Sequence, residues 1–180
     1  MTISIKPTAS GSTIEQDGST ILTVDGSGNI IPSNNLYPKA PAFSVYRTSD
    51  QTVTGGVITK IAFETEEYDT NSNYDNSTNY RFTPTVAGYY QINAQVSIYQ
   101  PSTDAGIFIY KNGSAHKWGD YFTRASGYSA DVDVAVSSLV YLNGSTDYVE
   151  IYGYGVGTTK FYGANSFVGR TYFNGVLVSV

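Results

Sequence analysis

Hydrophobic and polar residues alternate most cleanly between Tyr89 and Tyr99. Tyr90, Ile92, Ala94, Val96 and Ile98 fall on one side, and Gln91, Asn93, Gln95 and Ser97 on the other. A period of two over that length predicts a strand with one buried face. A second run, Ala130 to Leu142, places Val132, Val134, Val136, Val140 and Leu142 together, with Asp131 and Asp133 opposite. Near its end Leu139 and Tyr141 make the outer face apolar too. Ile107 to Tyr110 and Tyr172 to Val180 are also apolar on both faces. Strands of that kind are covered on both sides. A two-layer sandwich covers only one, so the pattern predicts a second cover from another subunit or an appended segment. Ala42 to Tyr46 and Ile58 to Phe63 add further strand signals. Apolar residues nowhere keep helical spacing over several turns, and Gly or Pro interrupts most candidates. The expected class is therefore all-β, with one antiparallel sandwich over residues 41–180.

Residues 1–40 follow a different pattern. They are small and polar, with turn signals at Asp17-Gly18-Ser19 and Asp25-Gly26-Ser27-Gly28-Asn29. Such pairs favour the positive φ angles of tight hairpins. Thr20 to Val24 between them reads as a short strand, flanked by Ile14 and Ile30-Ile31. This is a β-rich N-terminal arm that cannot bury itself as a monomer. Pro32, Pro38 and Pro41 mark a linker behind it.

Composition narrows the function. Tyr outnumbers Phe and Trp, 17 against 8 and 1, which suits strands and interfaces with one dry and one wet side. A net charge of -5 with no basic stripe excludes a nucleic-acid partner. With 0 Cys, disulfides, thiolate nucleophiles and Cys-ligated zinc are excluded, and a bacterial or viral origin is favoured. The start, Met1 to Pro7, has no apolar core and reads as no signal peptide. No apolar run is long enough for a helical membrane span, and no membrane partner is expected.

Several segments together carry a family resemblance. Phe82-Thr83-Pro84-Thr85-Val86-Ala87-Gly88-Tyr89-Tyr90 resembles the signature of the C1q/TNF-like superfamily: an aromatic, a Pro, then Gly-Tyr-Tyr leading into a long strand. Ala42 to Val45 looks like that family's first strand, and Phe63 like its aromatic before a variable loop. Leu139 to Ile151 resembles its hydrophobic strand, Gly-containing turn and next strand. Phe173-Asn174-Gly175-Val176-Leu177-Val178 looks like its closing strand. The turn Asn143 to Asp147 departs from the pattern by separating a Gly and an Asp that relatives keep adjacent. The resemblance implies a ten-strand jelly roll that assembles as a homotrimer about a threefold axis. The arm resembles N-terminal regions of phage virion proteins, which carry strings of Asp-Gly-Ser and Gly-Asn-Ile.

Candidate chemistry is sparse. Asp69, Asn71, Asn73 and Asp75 sit at alternate positions, as calcium ligands do. Tyr74 stands where a helical calcium loop needs Gly, and Tyr80 where it needs Glu, so the competing reading, a solvated acidic loop, is preferred. No cofactor is expected. Glu64, Glu66, Glu67, Asp69, Asp131, Asp133 and Glu150 offer carboxylates for glycoside hydrolysis, but spacing along the chain defines no pair. His116 is the only His, and no Gly-x-Ser-x-Gly elbow accompanies it. Catalytic residues are not expected. Trp118 and Tyr121 are candidate glycan contacts. Tyr148, Tyr152, Tyr154, Leu139, Tyr141 and Phe173 are the candidates for a trimer interface.

These readings converge on a non-enzymatic trimeric structural protein of a phage particle, located at the virion surface. Capsid decoration is favoured, with residues 1–40 making inter-subunit contacts and anchoring the chain to a major capsid protein or another virion protein. The alternative is a short tail or head fibre whose knob recognises a host surface glycan.

Overall fold

The protein is described by a computed structural model over residues 3–9, 11–32, 40–125, 127, 130–164 and 169–180. The linker proline Pro38 lies outside the described residues. The chain divides into two compact units, Met1–Lys39 and Ala40–Val180.

In the first unit, β1 (Ile3–Thr8), β2 (Gly11–Gln16), β3 (Ser19–Asp25) and β4 (Ile30–Pro32) form one antiparallel meander in that order. Asp17 and Gly18 take φ values of 49° and 83° in the first turn, the positive values a two-residue hairpin needs. Asp25 holds the second turn by accepting the backbone N–H groups of Ser27 and Asn29, each at 2.9 Å. Pro7 and Pro32 fall on the outer strands β1 and β4, where a missing N–H is tolerated. Among the described residues of this unit none is fully buried.

The second unit is a two-sheet sandwich. Its strands are β5 (Ala42–Tyr46), β6 (Gln51–Thr52), β7 (Thr59–Lys60), β8 (Thr65–Asp69), β9 (Tyr74–Asp75), β10 (Arg81–Phe82) and β11 (Ala87–Ile98). There follow β12 (Asp104–Lys111), β13 (Ser114–Thr123), β14 (Val132–Asn143), β15 (Val149–Gly155), β16 (Lys160–Phe161) and β17 (Tyr172–Ser179). One sheet has the order β13-β12-β15-β10-β9, with β7 beside β15. The other runs β6-β16-β11-β17-β5-β8, and β14 lies along the free side of β11. Eight strands have five or more residues, and five are two-residue segments that finish the ends.

The alternation read from the sequence becomes the core. Tyr90, Ile92, Val96 and Ile98 from one sheet meet Ile107, Ile109, Val149 and Ile151 from the other, all wholly buried. Phe43 stacks on Phe82 at 4.2 Å and meets Phe173 edge-on at 4.8 Å. Each such ring contributes about 2–3 kcal/mol of burial. Phe173 is thus a core residue rather than an interface residue, because its position on β17 alternates inward. Tyr90 is a wholly buried core residue whose hydroxyl donates to Val86 O at 2.8 Å, and burial pushes that hydroxyl's pKa up to about 12.

Two segments differ from the sequence reading and a third was not assigned by it. Within Ile58 to Phe63 only Thr59–Lys60 forms a strand, although the Ile61 N–H still donates to Ile151 O at 2.9 Å, and Ile61 and Phe63 are wholly buried. Thr65–Asp69 is a strand on β5, not a loop; acidic outward residues hide it, as suits a protected sheet edge. Ser114–Thr123 is an edge strand whose pairing with β12 shifts register twice, which blurs its alternation.

Candidate binding faces of the sandwich

With the core between the sheets, each sheet turns its other face outward. The sequence grouped Tyr148, Tyr152, Tyr154, Leu139 and Tyr141 into one interface. The structure separates them. Tyr152 and Tyr154 stand on the outer face of β15, and Leu139 and Tyr141 on the outer face of β14, in opposite sheets.

The first face is aromatic. Gly106, Phe108 and Tyr110 point outward from β12, since Ala105, Ile107 and Ile109 point in. Phe108 is paired with Trp118 on one side and Tyr152 on the other; Gly106 lies between Tyr121 and Tyr154. A Cβ at Gly106 would sit 2.6 Å from the Tyr121 ring, so only glycine lets the two tyrosines lean together. They are near parallel at 6.2 Å. Tyr110 stacks on Tyr152 at 3.9 Å. Trp118 stands edge-on to Phe108 at 5.0 Å and 5.6 Å from Tyr121. Phe108 is buried beneath while Trp118 remains 68% exposed. The indole is therefore fixed from below and open above. Tyr148 carries the Arg81 guanidinium over its ring at 4.2 Å. Burial, then the Glu150 carboxylate, pushes the Tyr152 hydroxyl up to about 12.

The second face is aliphatic at one end and polar in the middle. Leu139 and Tyr141 are 52% and 47% exposed. Register brings them beside Gln91 and Tyr89, and Val176 lies across Gln91 on β17. Tyr89 meets Tyr141 edge-on at 5.3 Å. Tyr89, Val176 and Val178 are exposed too and extend the patch. Next to it runs a ladder of amides and hydroxyls. Gln91 donates to Ser137 Oγ at 2.9 Å, Ser137 to Asn93 Oδ1 at 2.9 Å, and Asn93 to Asn174 Oδ1 at 3.1 Å. Asn93, Ser137, Asn174 and Tyr172 line an open groove of about 530 Å³. Tyr89, Val176 and Val178 were missed as interface candidates. The closing strand was already read as doubly apolar, so its outward positions were available from the sequence.

The four calcium candidates do not converge. Asp69 accepts the backbone N–H groups of Asn71, Asn73 and Tyr74 at 3.1, 2.6 and 2.6 Å. Asp75 separately accepts those of Ser77, Thr78 and Asn79 at 3.1, 2.9 and 3.1 Å. These N–H bonds hold the Asp75 carboxyl well below the usual carboxylate range. Asn73 Oδ1 accepts from Thr85, and Asn71 Oδ1 from Thr70. Oxygens facing N–H donors are turn caps, the reverse of a cation shell. Among the described residues no group of three or more His, Cys, Asp or Glu is placed to hold a metal.

Several other carboxylates are tied to neighbouring groups of the fold. Glu64 pairs with Arg47 at 3.3 Å, Glu150 with Lys60 at 3.1 Å and Asp133 with Arg170 at 3.5 Å. Glu67 accepts from Ser44 Oγ at 2.6 Å. Asp147, in the turn that departs from the family pattern, pairs with Lys111 at 2.8 Å and accepts from Asn112 at 2.8 Å. His116 is exposed on β13, next to the Asn112-Gly113 turn.

No family model matches this sequence, and no curated protein matches it. Solved structures do. The globular domain of zebrafish complement 1qA superposes with a TM-score of 0.56 at 20% identity, over 77% of this chain and 97% of that one. Murine APRIL at pH 5.0 gives 0.59 at 10% identity, over 78% and 100%. Eiger TNF from S. frugiperda gives 0.59 at 7% identity, over 78% and 93%. At these identities the likeness defines the fold: an all-β, C1q/TNF-like jelly roll.

Proposed function

We propose that this chain is a trimeric, non-enzymatic structural protein of a phage particle, and that it decorates the capsid surface. The observation that carries this reading is the exposed patch of Tyr89, Leu139, Tyr141, Val176 and Val178 on one sheet face. Apolar area gathered in one place, bordered by amides and hydroxyls, has the make-up of an interface core and rim. The resemblance stated above implies a threefold assembly, and this face is the surface that suits it. Ion-paired and turn-capping carboxylates support a binding or structural role over catalysis. The phage setting rests on the arm's turn motifs. The arm attaches to a capsid protein, and the knob stands outward at the virion surface.

Light scattering on the purified chain is expected to give three times the monomer mass. A monomer at micromolar concentration overturns the assembly. Mapping the protein on purified particles is expected to place it on capsids; location on the tail alone overturns decoration.

One observation favours a second reading, a short fibre that recognises a host glycan. Trp118 stands edge-on to Phe108 and beside Tyr121 while remaining largely exposed. Exposed, immobilised aromatic rings suit the apolar faces of sugar rings. Host polysaccharide immobilised in a gel is expected to retard the chain, and Trp118→Ala is expected to relieve most of that retardation. Equal mobility with and without polysaccharide removes this reading.

A further inference from the structure

The four-stranded sheet of the first unit has two unlike faces. Cross-strand partners share a face, so the register sorts the side chains. Ile5, Ile14 and Leu22 align across β1, β2 and β3; Ser12, Val24 and Ile30 align across β2, β3 and β4. With Ile3 and Pro7 they make one face that carries no charge. Lys6, Glu15 and Asp25, the three charged residues of these strands, all lie on the other face, with Ser4, Thr13, Thr23 and Ile31. Lys6 and Glu15 pair there.

The uncharged face is open. Ile3, Ile5 and Ile30 are 61%, 69% and 68% exposed. With half-buried Ile14, Leu22 and Val24 it amounts to an apolar patch on the order of 500 Å² per copy, as large as a monomer normally leaves bare. Since no described residue of this unit is fully buried, the sheet has no core of its own. An isolated sheet needs a second layer to be stable.

We infer that this second layer is the same sheet from two other copies: three uncharged faces close on one another about the threefold axis and share one aliphatic core. This rests on the trimeric reading above. Three facts select copies of this chain as the occupant. Three such patches bury on the order of 1,500 Å² together, the area of a standard stable interface. The outer strands carry Pro7 and Pro32, which lack the N–H for strand addition, so association runs through the face and not the edge. Joined knobs also hold three arms at high local concentration, which favours their packing over capture of a separate protein. The charged faces and the turns at Asp17-Gly18 and Asp25–Asn29 then remain outward to meet the particle.

The chain has 0 Cys, so single-cysteine variants report cleanly. Ile14→Cys and Thr23→Cys place a thiol on the uncharged and the charged face of the full chain. Light scattering first establishes the trimer; a monomer there fails the trimeric reading before the arm is tested. In the trimer, a bismaleimide spanning about one sheet-to-sheet distance, ~10 Å, is expected to join Ile14→Cys chains in pairs. It leaves the third chain of each trimer single, and Thr23→Cys stays unlinked. Two results overturn the inference with the trimer intact. An Ile14→Cys thiol that reacts as fast as Thr23→Cys means a bare face awaiting another protein. A protected thiol that never links two chains means that the face is covered within one chain. Hydrogen exchange on the unmodified chain guards against a damaged variant: amides of Thr13, Ile14, Leu22 and Thr23 are expected to be protected in the trimer. Free exchange at all four overturns the inference as well.

Discussion

The arm and the knob use the same local code and reach opposite outcomes. Both are antiparallel sheets with alternating apolar residues and Gly-containing turns. In the knob two such sheets face each other, and Phe43, Ile92 and Ile151 lose all contact with water. In the arm a single sheet leaves Ile5 and Ile30 mostly exposed. Alternation therefore determines which face is to be buried, but only a second layer buries it. For the knob that layer is in the same chain. The arm's described residues supply none of their own.

The largest test of this contrast is truncation on each side of it. Phe173→Ala empties space between Phe43, Phe63 and Tyr74, and is expected to lower knob stability by about 3–5 kcal/mol in urea unfolding. Ile5→Ala is expected to leave the knob transition within about 0.5 kcal/mol of the parent. A comparable loss from both would mean that the two units unfold as one.

Next in size is the effect of charge on the knob's aliphatic patch. Leu139→Glu is expected to weaken the trimer by about 3 kcal/mol or more, roughly a hundredfold, measured by sedimentation across a dilution series. On the proposed assembly, in which joined knobs bring the arms together, the arm's amides should then lose protection too. Ile14→Glu should open the arm and leave the trimer mass unchanged. Coupling in the reverse direction would make the arm, not the knob, the source of assembly.

A smaller effect is expected at Gly11, whose φ is 150° and whose absent Cβ would lie 1.8 Å from Val24 O. Gly11→Ala should cost about 1–3 kcal/mol of strain within the arm. It should show as faster exchange of β2 and β3 amides with no change in knob melting.

The smallest concerns acid. Asp75 is held below its ordinary value of about 3.9 by backbone N–H groups. A depressed carboxyl stabilises the fold above its unfolded value, and that contribution is lost as pH falls through the folded one. The group is largely open to water, so the effect is small. The knob's melting temperature should therefore drop slightly below about pH 4, and Asp75→Asn should flatten that part of the curve. The arm has its own counterpart in Asp25, lowered first by Asn29, which should not move the knob transition.

Much of the knob was legible because its long strands obey a period of two with few interruptions. Tyr89 to Tyr99 and Ala130 to Leu142 became β11 and β14 nearly residue for residue. Short edge pieces were not legible. Thr65–Asp69 is acidic on its exposed positions, and Ser114–Thr123 loses its alternation to two register shifts. The faces were half legible. Leu139 and Tyr141 announced themselves as apolar residues on the wrong side of a buried strand. Their separation from Tyr152 and Tyr154 was not readable, because a period of two says which residues share a strand face and not which sheet that strand joins. Phe173 shows the same limit: its type fits both core and interface, and only the pairing of β17 with β5 and β11 decides.

The position of β17 has a consequence for how the chain is made. It lies between β5 and β11, and so separates two strands that emerge from the ribosome well before it. Until β17 arrives, β5 and β11 each present an open edge with unpaired amides and carbonyls. Pairings this distant along the chain form slowly. During translation the sheet thus stays a split layer with a slot the width of one strand. The final insertion closes the jelly roll and completes the outer surface carrying Val176 and Val178.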